Sequence, residues 1–137
     1  MNVFSINDWT LTADYKNSEV CSYFTDLKSV LVCQGELIAK DRLGEVIRFT
    51  KGQSAFYIKR YHRSGRRHFS RFRKSRVRAE WENLLFMVQV GLPVPQLVAY
   101  GEQKVNGQFV AGALITEEVN NTCNIAQFLS VRALVHK

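Results

Sequence analysis

The feature that most constrains the fold is an apolar strand carrying Lys59, followed 21 residues after that lysine by a helical glutamate. Residues 54–61 alternate apolar and polar side chains with the two-residue period of a β-strand. Residues 75–90 repeat apolar side chains with the period of a helix, and Glu80 lies at the border of that apolar stripe. The order strand, loop, helix predicts that Lys59 and Glu80 meet between a sheet and a helix.

Further patterns on both sides predict an α+β chain. Strands are predicted over 36–40 and 45–50, before the lysine strand, and over 96–100 and 108–117, after the long helix. Residues 41–44 predict a tight turn between the first two strands. The expected core is therefore a five-stranded antiparallel sheet with one long helix against it.

An additional N-terminal helix is predicted over residues 18–32. Val20, Phe24, Leu27 and Leu31 recur at the spacing of one helix face. Residues 101–107 contain two glycines, and they are predicted to turn the chain between the last two strands.

The positive charge of the chain is concentrated in one segment. The net charge is +7, and residues 59–78 contain ten Lys and Arg and no acid, whereas the remainder contains nine basic and twelve acidic residues. Such a segment predicts an anionic partner, namely nucleic acid, phospholipid headgroups, or an acidic or phosphorylated sugar. A solvated basic loop without a partner remains an alternative. The candidate contacts are Arg63, Arg66, Arg67, Arg71, Arg73 and Lys74.

Several classes of protein are disfavoured. Cys21, Cys33 and Cys123 are odd in number and widely spaced, which indicates neither a zinc site nor a disulfide framework. No apolar run approaches the ~18 residues of a membrane span, and the N-terminus has no secretory pattern. These observations predict a reducing, cytoplasmic setting.

The chain resembles the lipopolysaccharide core kinases, the Kdo/heptose kinase family, whose fold is protein-kinase-like. The resemblance covers roughly residues 24–128, and its more specific parts are the basic, aromatic-rich loop before Glu80-Trp81 and the G-x-P-x-P step over 91–95. The other matching segments are 34–37, 44–49, 57–60 and 113–118.

The resemblance implies ATP-dependent phosphorylation of an inner-core sugar, Kdo or heptose, at the cytoplasmic face of the bacterial inner membrane. The implied cofactors are ATP and Mg²⁺, and the implied partner is a lipopolysaccharide core or lipid A precursor, with peripheral membrane contact. Lys59 would hold the phosphates and Glu80 would be its ion-pair partner, with Glu82 as the second choice. The residues expected to contact the nucleotide are Gly44, Val46, Lys59, Glu117 and Val119. Residues 116–119 would be the hinge, where backbone groups of Glu117 and Val119 can pair with the adenine edge.

Two departures from the kinase pattern shape the expected function. Tyr57 stands where the kinase V-A-I-K strand has alanine, so its ring would crowd an adenine unless it turned aside. The four aspartates all lie at or before Asp41, so the proton acceptor and the Mg²⁺ ligand that kinases place after the hinge are missing.

The expected organisation follows from these departures. It comprises an N-terminal extension with a helix over 1–35, a kinase-like N-lobe over 36–119, and a hinge exit with the truncated start of a C-lobe over 120–137. This chain alone is expected to be inactive. The alternatives are a non-enzymatic basic module that binds nucleic acid or anionic lipid through residues 59–78, and a scaffold without a ligand. No known nucleic-acid-binding motif supports the nucleic-acid reading.

Overall fold

A single antiparallel sheet organises the chain. The computed structural model describes residues 5–62 and 74–118. Its strands are β1 (Ser5–Leu11), β2 (Glu36–Asp41), β3 (Gly44–Lys51), β4 (Ser54–His62), β5 (Gln96–Val105) and β6 (Gln108–Glu117). Its helices are α1 (Ala13–Lys16), α2 (Val20–Tyr23), α3 (Leu27–Leu31) and α4 (Arg76–Gln89). The strand order is β1-β5-β6-β4-β3-β2, so the α+β class is confirmed.

The sheet has six strands, so the expectation of five was wrong. The additional strand is β1, which pairs antiparallel with the outer side of β5 over its whole length. Its alternation of apolar and polar side chains covers only a few residues. Trp9 and Leu11 are half-buried, whereas Asp8 and Thr10 are exposed. An edge strand of this kind is held largely by main-chain hydrogen bonds, and those leave little mark on the side-chain pattern.

The predicted helix over 18–32 is also wrong in its continuity, because α2 and α3 are separate. Phe24 leaves the helical conformation after α2, with φ −126° and ψ 71°. Asp26 then begins α3, because its carboxylate accepts the Ser29 N–H at 2.8 Å. An aspartate that can cap a helix favours the start of a new helix at its position, even inside an apolar helical pattern.

The turn expected over 101–107 is confined to its last two residues. Asn106 and Gly107 have φ values of 52° and 80°, which is the backbone of a two-residue hairpin, and β5 continues through Gly101 to Val105. A Cβ on Gly101 would lie 2.3 Å from the carbonyl oxygen of Asp8. Glycine is needed there because β1 approaches closely, and the sequence alone suggested a bend.

The two faces of the sheet bury two separate cores. Phe56 and Ile58 of β4 point to the first core, beneath α1–α3, where Phe24 packs edge-to-face on Phe56 with ring centroids 5.2 Å apart. Tyr61 of the same strand points to the second core, beneath α4. The sheet is therefore covered on both faces, and α4 lies on the face that carries the site.

Helix α4 is defined at both ends by the sequence. The Ser75 hydroxyl accepts the Arg78 N–H at 3.1 Å and caps its start. At its end Gly91 has φ 80°, and the N–H of Leu92 bonds to the carbonyl of Met87, which forms a Schellman motif. At 14 residues α4 is the longest described helix, and none in residues 5–62 or 74–118 is long and apolar enough to cross a membrane.

Candidate functional site

The site lies where three central strands meet α4. Val46 on β3, Lys59 on β4 and Leu114 on β6 are directly opposite one another in the sheet register. Directly opposed residues share one face of a sheet. That face is covered by α4, so Lys59 is held in an otherwise apolar row and is only 3% exposed.

The structure brings Lys59 and Glu80 into contact. The Lys59 ammonium donates to Oε2 of Glu80, and the Tyr61 hydroxyl donates to Oε1 of the same carboxylate at 2.6 Å. Glu80 therefore bridges two side chains of β4 that lie two residues apart on one face. Glu82 is directed elsewhere, because it pairs with Lys74 at 2.6 Å and with Arg78 at 3.0 Å.

Tyr61 is a member of this cluster that the sequence argument missed. The available signal was the strand period, since residues i and i+2 share a face and Tyr61 follows Lys59 by two positions. Burial, followed by the charge of Glu80 and its hydrogen bond, raises the pKa of the Tyr61 hydroxyl far above its usual range. Tyr61 therefore stays protonated and acts as a fixed donor to Glu80.

The contact has an electrostatic reason. An isolated charge in a protein interior costs several kcal/mol, and a partner at hydrogen-bond distance offsets much of that cost. The side chains of Lys59 and Glu80 are 4% and 19% exposed, so solvent screens them little. The pair therefore couples the position of α4 to that of β4.

The row is closed to solvent. Val46, one of the predicted nucleotide contacts, is 0% exposed, and Lys59 is nearly as buried. A ligand that touches either residue has to displace the groups that cover them. The structure therefore shows this site in a closed arrangement.

Gly44 begins β3 directly after a turn whose backbone N–H groups are hydrogen-bonded to the Asp41 side chain. The Asp41 carboxylate accepts the N–H groups of Leu43 and Gly44, at 2.8 and 3.1 Å. A Cβ on Gly44 would lie 2.0 Å from the carbonyl oxygen of Arg60, so close strand contact alone explains the glycine. A phosphate at these amides would have to displace a carboxylate, and the nucleotide role of Gly44 stays a prediction.

The end of β6 is tied to its neighbours by side chains. Glu118 accepts hydrogen bonds from Nε of Arg48 and from the Tyr57 hydroxyl, both at 3.1 Å, and its own N–H donates to the carbonyl of Ala55. The hydrogen bond from Arg48 is the main reason why the pKa of the Glu118 carboxyl lies below its usual range. Tyr57 is thus fixed on the Lys59 face, toward the predicted hinge.

The predicted adenine contacts are only partly described. Glu117 lies between Phe56 and Gln96 in the register of the sheet, and its side chain accepts the Tyr15 hydroxyl at 2.5 Å. Val119 lies outside the described residues. The hinge role of both residues remains a prediction.

The predicted anion contacts lie almost entirely outside residues 5–62 and 74–118. Lys74 is the one member within them, and its ammonium pairs with Glu82 across an exposed surface. The members outside are Arg63, Arg66, Arg67, Arg71 and Arg73.

The described residues do not provide a site for Mg²⁺. Within residues 5–62 and 74–118, no three His, Cys, Asp or Glu side chains are grouped so that they could hold a metal ion. The predicted Mg²⁺ therefore has no fitting set of ligands in this part of the chain.

The fold and the site together define an α+β protein with a buried lysine–glutamate pair between its sheet and its longest helix. The model of the lipopolysaccharide kinase (Kdo/WaaP) family matches residues 39–136. The chain belongs to this family, as the sequence predicted, and the membership supports a kinase-like, phosphotransferase function in lipopolysaccharide biosynthesis. No curated protein and no solved structure matches the chain.

Proposed function

We propose that this chain is the ATP-binding lobe of a kinase that phosphorylates an inner-core lipopolysaccharide sugar, Kdo or heptose. The observation that carries the proposal is the buried ion pair of Lys59 and Glu80. In protein kinases a strand lysine and a helix glutamate form such a pair, and both must be in place for activity.

The topology around the pair supports this proposal. Strands β2, β3, β4, β6 and β5 are consecutive neighbours in the sheet, and α4 connects β4 to β5. The lysine thus lies on the third strand of this five-strand unit and the glutamate on the helix that follows, the order found in protein kinases. The five-strand unit with α4 corresponds to the proposed N-lobe, and β1 extends it at one edge.

The residues of the pair have distinct roles in the proposed site. Lys59 contacts the α- and β-phosphates as a cation, while Glu80 fixes the direction of its ammonium group. Tyr61 occupies the second carboxylate oxygen of Glu80 and so restricts how that carboxylate can rotate. Bound Mg²⁺ would neutralise phosphate charge, and the described residues offer no set of ligands for it.

ATP binding in this proposal requires the site to open. Lys59 and Val46 are both closed to solvent, and Tyr57 is held on the same face by Glu118. Part of the nucleotide's binding free energy is therefore spent on opening, which lowers its apparent affinity.

Phosphate transfer by this chain alone is not expected. The sequence has no aspartate after Asp41, whereas kinase chemistry uses an aspartate to receive the proton of the acceptor hydroxyl and another to hold Mg²⁺. The acceptor we propose is a lipopolysaccharide core or lipid A precursor at the cytoplasmic face of the inner membrane. The basic segment over 59–78 would provide the electrostatic attraction to it.

Calorimetric titration of the full chain with ATP tests this proposal. We expect saturable binding by the native chain, and its loss in the double variant Lys59→Met/Glu80→Gln. The double variant leaves no unpaired charge at the buried position, and circular dichroism verifies that it is folded. Lys28→Ala, on the exposed surface of α3, is the matched control and should bind as the native chain does.

The outcome that contradicts the proposal is equal ATP binding by the native chain and a folded double variant. Absence of ATP binding by a folded native chain contradicts it as well. Transfer of phosphate from ATP to Kdo-lipid A by the purified chain would refute the expected inactivity.

A further inference from the structure

A second candidate site lies on the other side of α4. A groove of about 600 Å³ separates this side of the helix from the edge formed by β1 and β5. The residues that line it include Asp8, Arg78, Trp81, Glu82, Tyr100 and Glu102. None of them belongs to the Lys59 cluster, so this site does not depend on the proposed ATP site.

Glu102 is the unusual residue of the groove. It is 3% exposed, and its Oε2 accepts the Tyr100 hydroxyl at 2.5 Å, while its Oε1 has no hydrogen-bond partner. A buried carboxylate oxygen without a donor is costly, and native structures contain few such atoms. This oxygen is closed to solvent, so a ligand's donor that reaches it from the groove has to displace the groups over it and in return satisfies it.

The electrostatics of the groove favour a cation. Asp8 lies directly opposite Glu102 in the β1–β5 register, and like charges opposite each other destabilise a strand pair. Glu82 adds a third carboxylate, and Arg78 is the one cationic side chain among the described lining residues. Glu82 also pairs with Lys74, which is not among those lining residues. Nε of Arg78 is 3.0 Å from Glu82, and its side chain is about half exposed. Local negative charge thus accumulates on a chain whose net charge is +7.

The lining also selects the kind of cation. Within residues 5–62 and 74–118, no three His, Cys, Asp or Glu side chains lie close enough together to hold a metal ion, so a metal cation is not favoured. Trp81 and Tyr100 both line the groove and stack on each other, with ring centroids 5.3 Å apart and planes 16° apart. Aromatic faces attract organic cations, and guanidinium is planar and weakly hydrated.

We propose that this groove binds an organic cation, with a guanidinium as the head group that matches it best. One N–H of the ligand donates to Oε1 of Glu102. The positive charge of the ligand reduces the repulsion between that carboxylate and the carboxylate of Asp8. The guanidinium can belong to a small molecule or to an arginine of a partner protein, because both present the same head group.

Tryptophan resonances of the ¹⁵N-labelled full chain report on this groove. Trp9 and Trp81 are the two tryptophans of the sequence. Trp9 also borders the groove, but its side chain packs against the first core on the other face of the sheet. Its indole N–H is bonded to the carbonyl of Phe24 at 3.0 Å, so its signal is the internal reference and that of Trp81 is the reporter. The probes are butylguanidinium and butylurea, which has a similar shape but no charge. Acetylated Gly-Arg-Gly amide and its citrulline analogue repeat the comparison in a peptide.

The expected result is a saturable shift of the Trp81 signal with butylguanidinium and none with butylurea. Glu102→Gln should weaken the binding about tenfold or more, since a charge-assisted hydrogen bond is lost. Glu36→Gln, on the exposed β2 at the opposite edge, is the matched control and should change nothing. Tighter binding of the arginine peptide than of butylguanidinium would indicate a partner protein as the source, and equal binding a small molecule.

Three outcomes overturn the proposal. The first is an equal response to the charged probe and its neutral analogue, and the second is binding that survives in Glu102→Gln. The third is binding by Arg78→Gln together with none by the native chain, because Arg78 would then itself occupy the position assigned to the ligand. ATP titration of the same Glu102→Gln sample should be unaffected, which separates this test from that of the Lys59 site.

Discussion

Removal of the Glu80 charge should destabilise the protein more than any other single carboxylate change on α4. Glu80→Gln removes the carboxylate charge that the buried Lys59 ammonium contacts, while the amide oxygen can still accept from Tyr61. Loss of one partner from a buried ion pair costs roughly 3–5 kcal/mol. The Glu80 side chain is 19% exposed, so water compensates in part, and the lower end, about 3 kcal/mol, applies.

Urea denaturation followed by circular dichroism measures this loss. The slope of the unfolding free energy against urea concentration should stay the same, and the urea midpoint should fall. In a thermal scan the melting temperature should decrease by roughly 10 °C for a chain of this size. Glu82→Gln is the matched control on the same helix, because Glu82 forms exposed pairs with Lys74 and Arg78. Its stability should stay close to that of the native chain.

The double variant Lys59→Met/Glu80→Gln completes the test. Replacement of both charges of a buried pair is often nearly neutral, so this variant should recover most of the stability that Glu80→Gln loses. The reasoning is refuted if Glu80→Gln unfolds like Glu82→Gln. It is also refuted if the effects of the two single changes simply add.

Three further changes probe the structure around the site. Burial raises the pKa of Tyr61, so the native state keeps a proton that the unfolded chain loses above pH ~10. The free energy of unfolding, measured by urea denaturation, should therefore decrease above that pH, and it should decrease less steeply in Tyr61→Phe. Ser75→Ala removes the cap of α4 and should cost about 1 kcal/mol, measured in the same way. Tyr57→Ala should bind ATP more tightly than the native chain in calorimetry, because its ring lies on the Lys59 face.

Each of these predictions has a contrary result. A pH dependence that is identical in Tyr61→Phe and the native chain would show that this hydroxyl does not titrate differently on folding. An unchanged midpoint in Ser75→Ala would show that the cap adds nothing to α4. ATP affinity that is unchanged or lower in Tyr57→Ala would remove Tyr57 as an obstacle in the proposed site.

The sequence predicted the elements that carry strong local signals. Strand β6 has the predicted bounds, and α4 differs by one residue at each end, because a capping serine and a terminal glycine mark it. The contact between Lys59 and Glu80 was also predictable, since strand and helix periods place both side chains toward the same interface.

The missed features depend on neighbours that are distant in the chain, except for one local cap that divides the N-terminal helix. Gly101 was read as a turn, whereas its lack of a side chain lets β1 approach β5. The division of the N-terminal helix follows from the Asp26 cap, which competed with a good apolar period. The Tyr57–Glu118–Arg48 contacts join three strands, and no spacing within one strand reveals them.

The amino-acid order by itself determined the family, the α+β class and which lysine and glutamate would meet, because periodicity and caps act within a few residues. Only the tertiary structure decided that Lys59 is closed to solvent, that Tyr61 shares Glu80, and that Glu102 retains a buried oxygen without a donor. Burial and hydrogen-bond partners depend on which strands lie side by side, and that arrangement is a property of the assembled sheet.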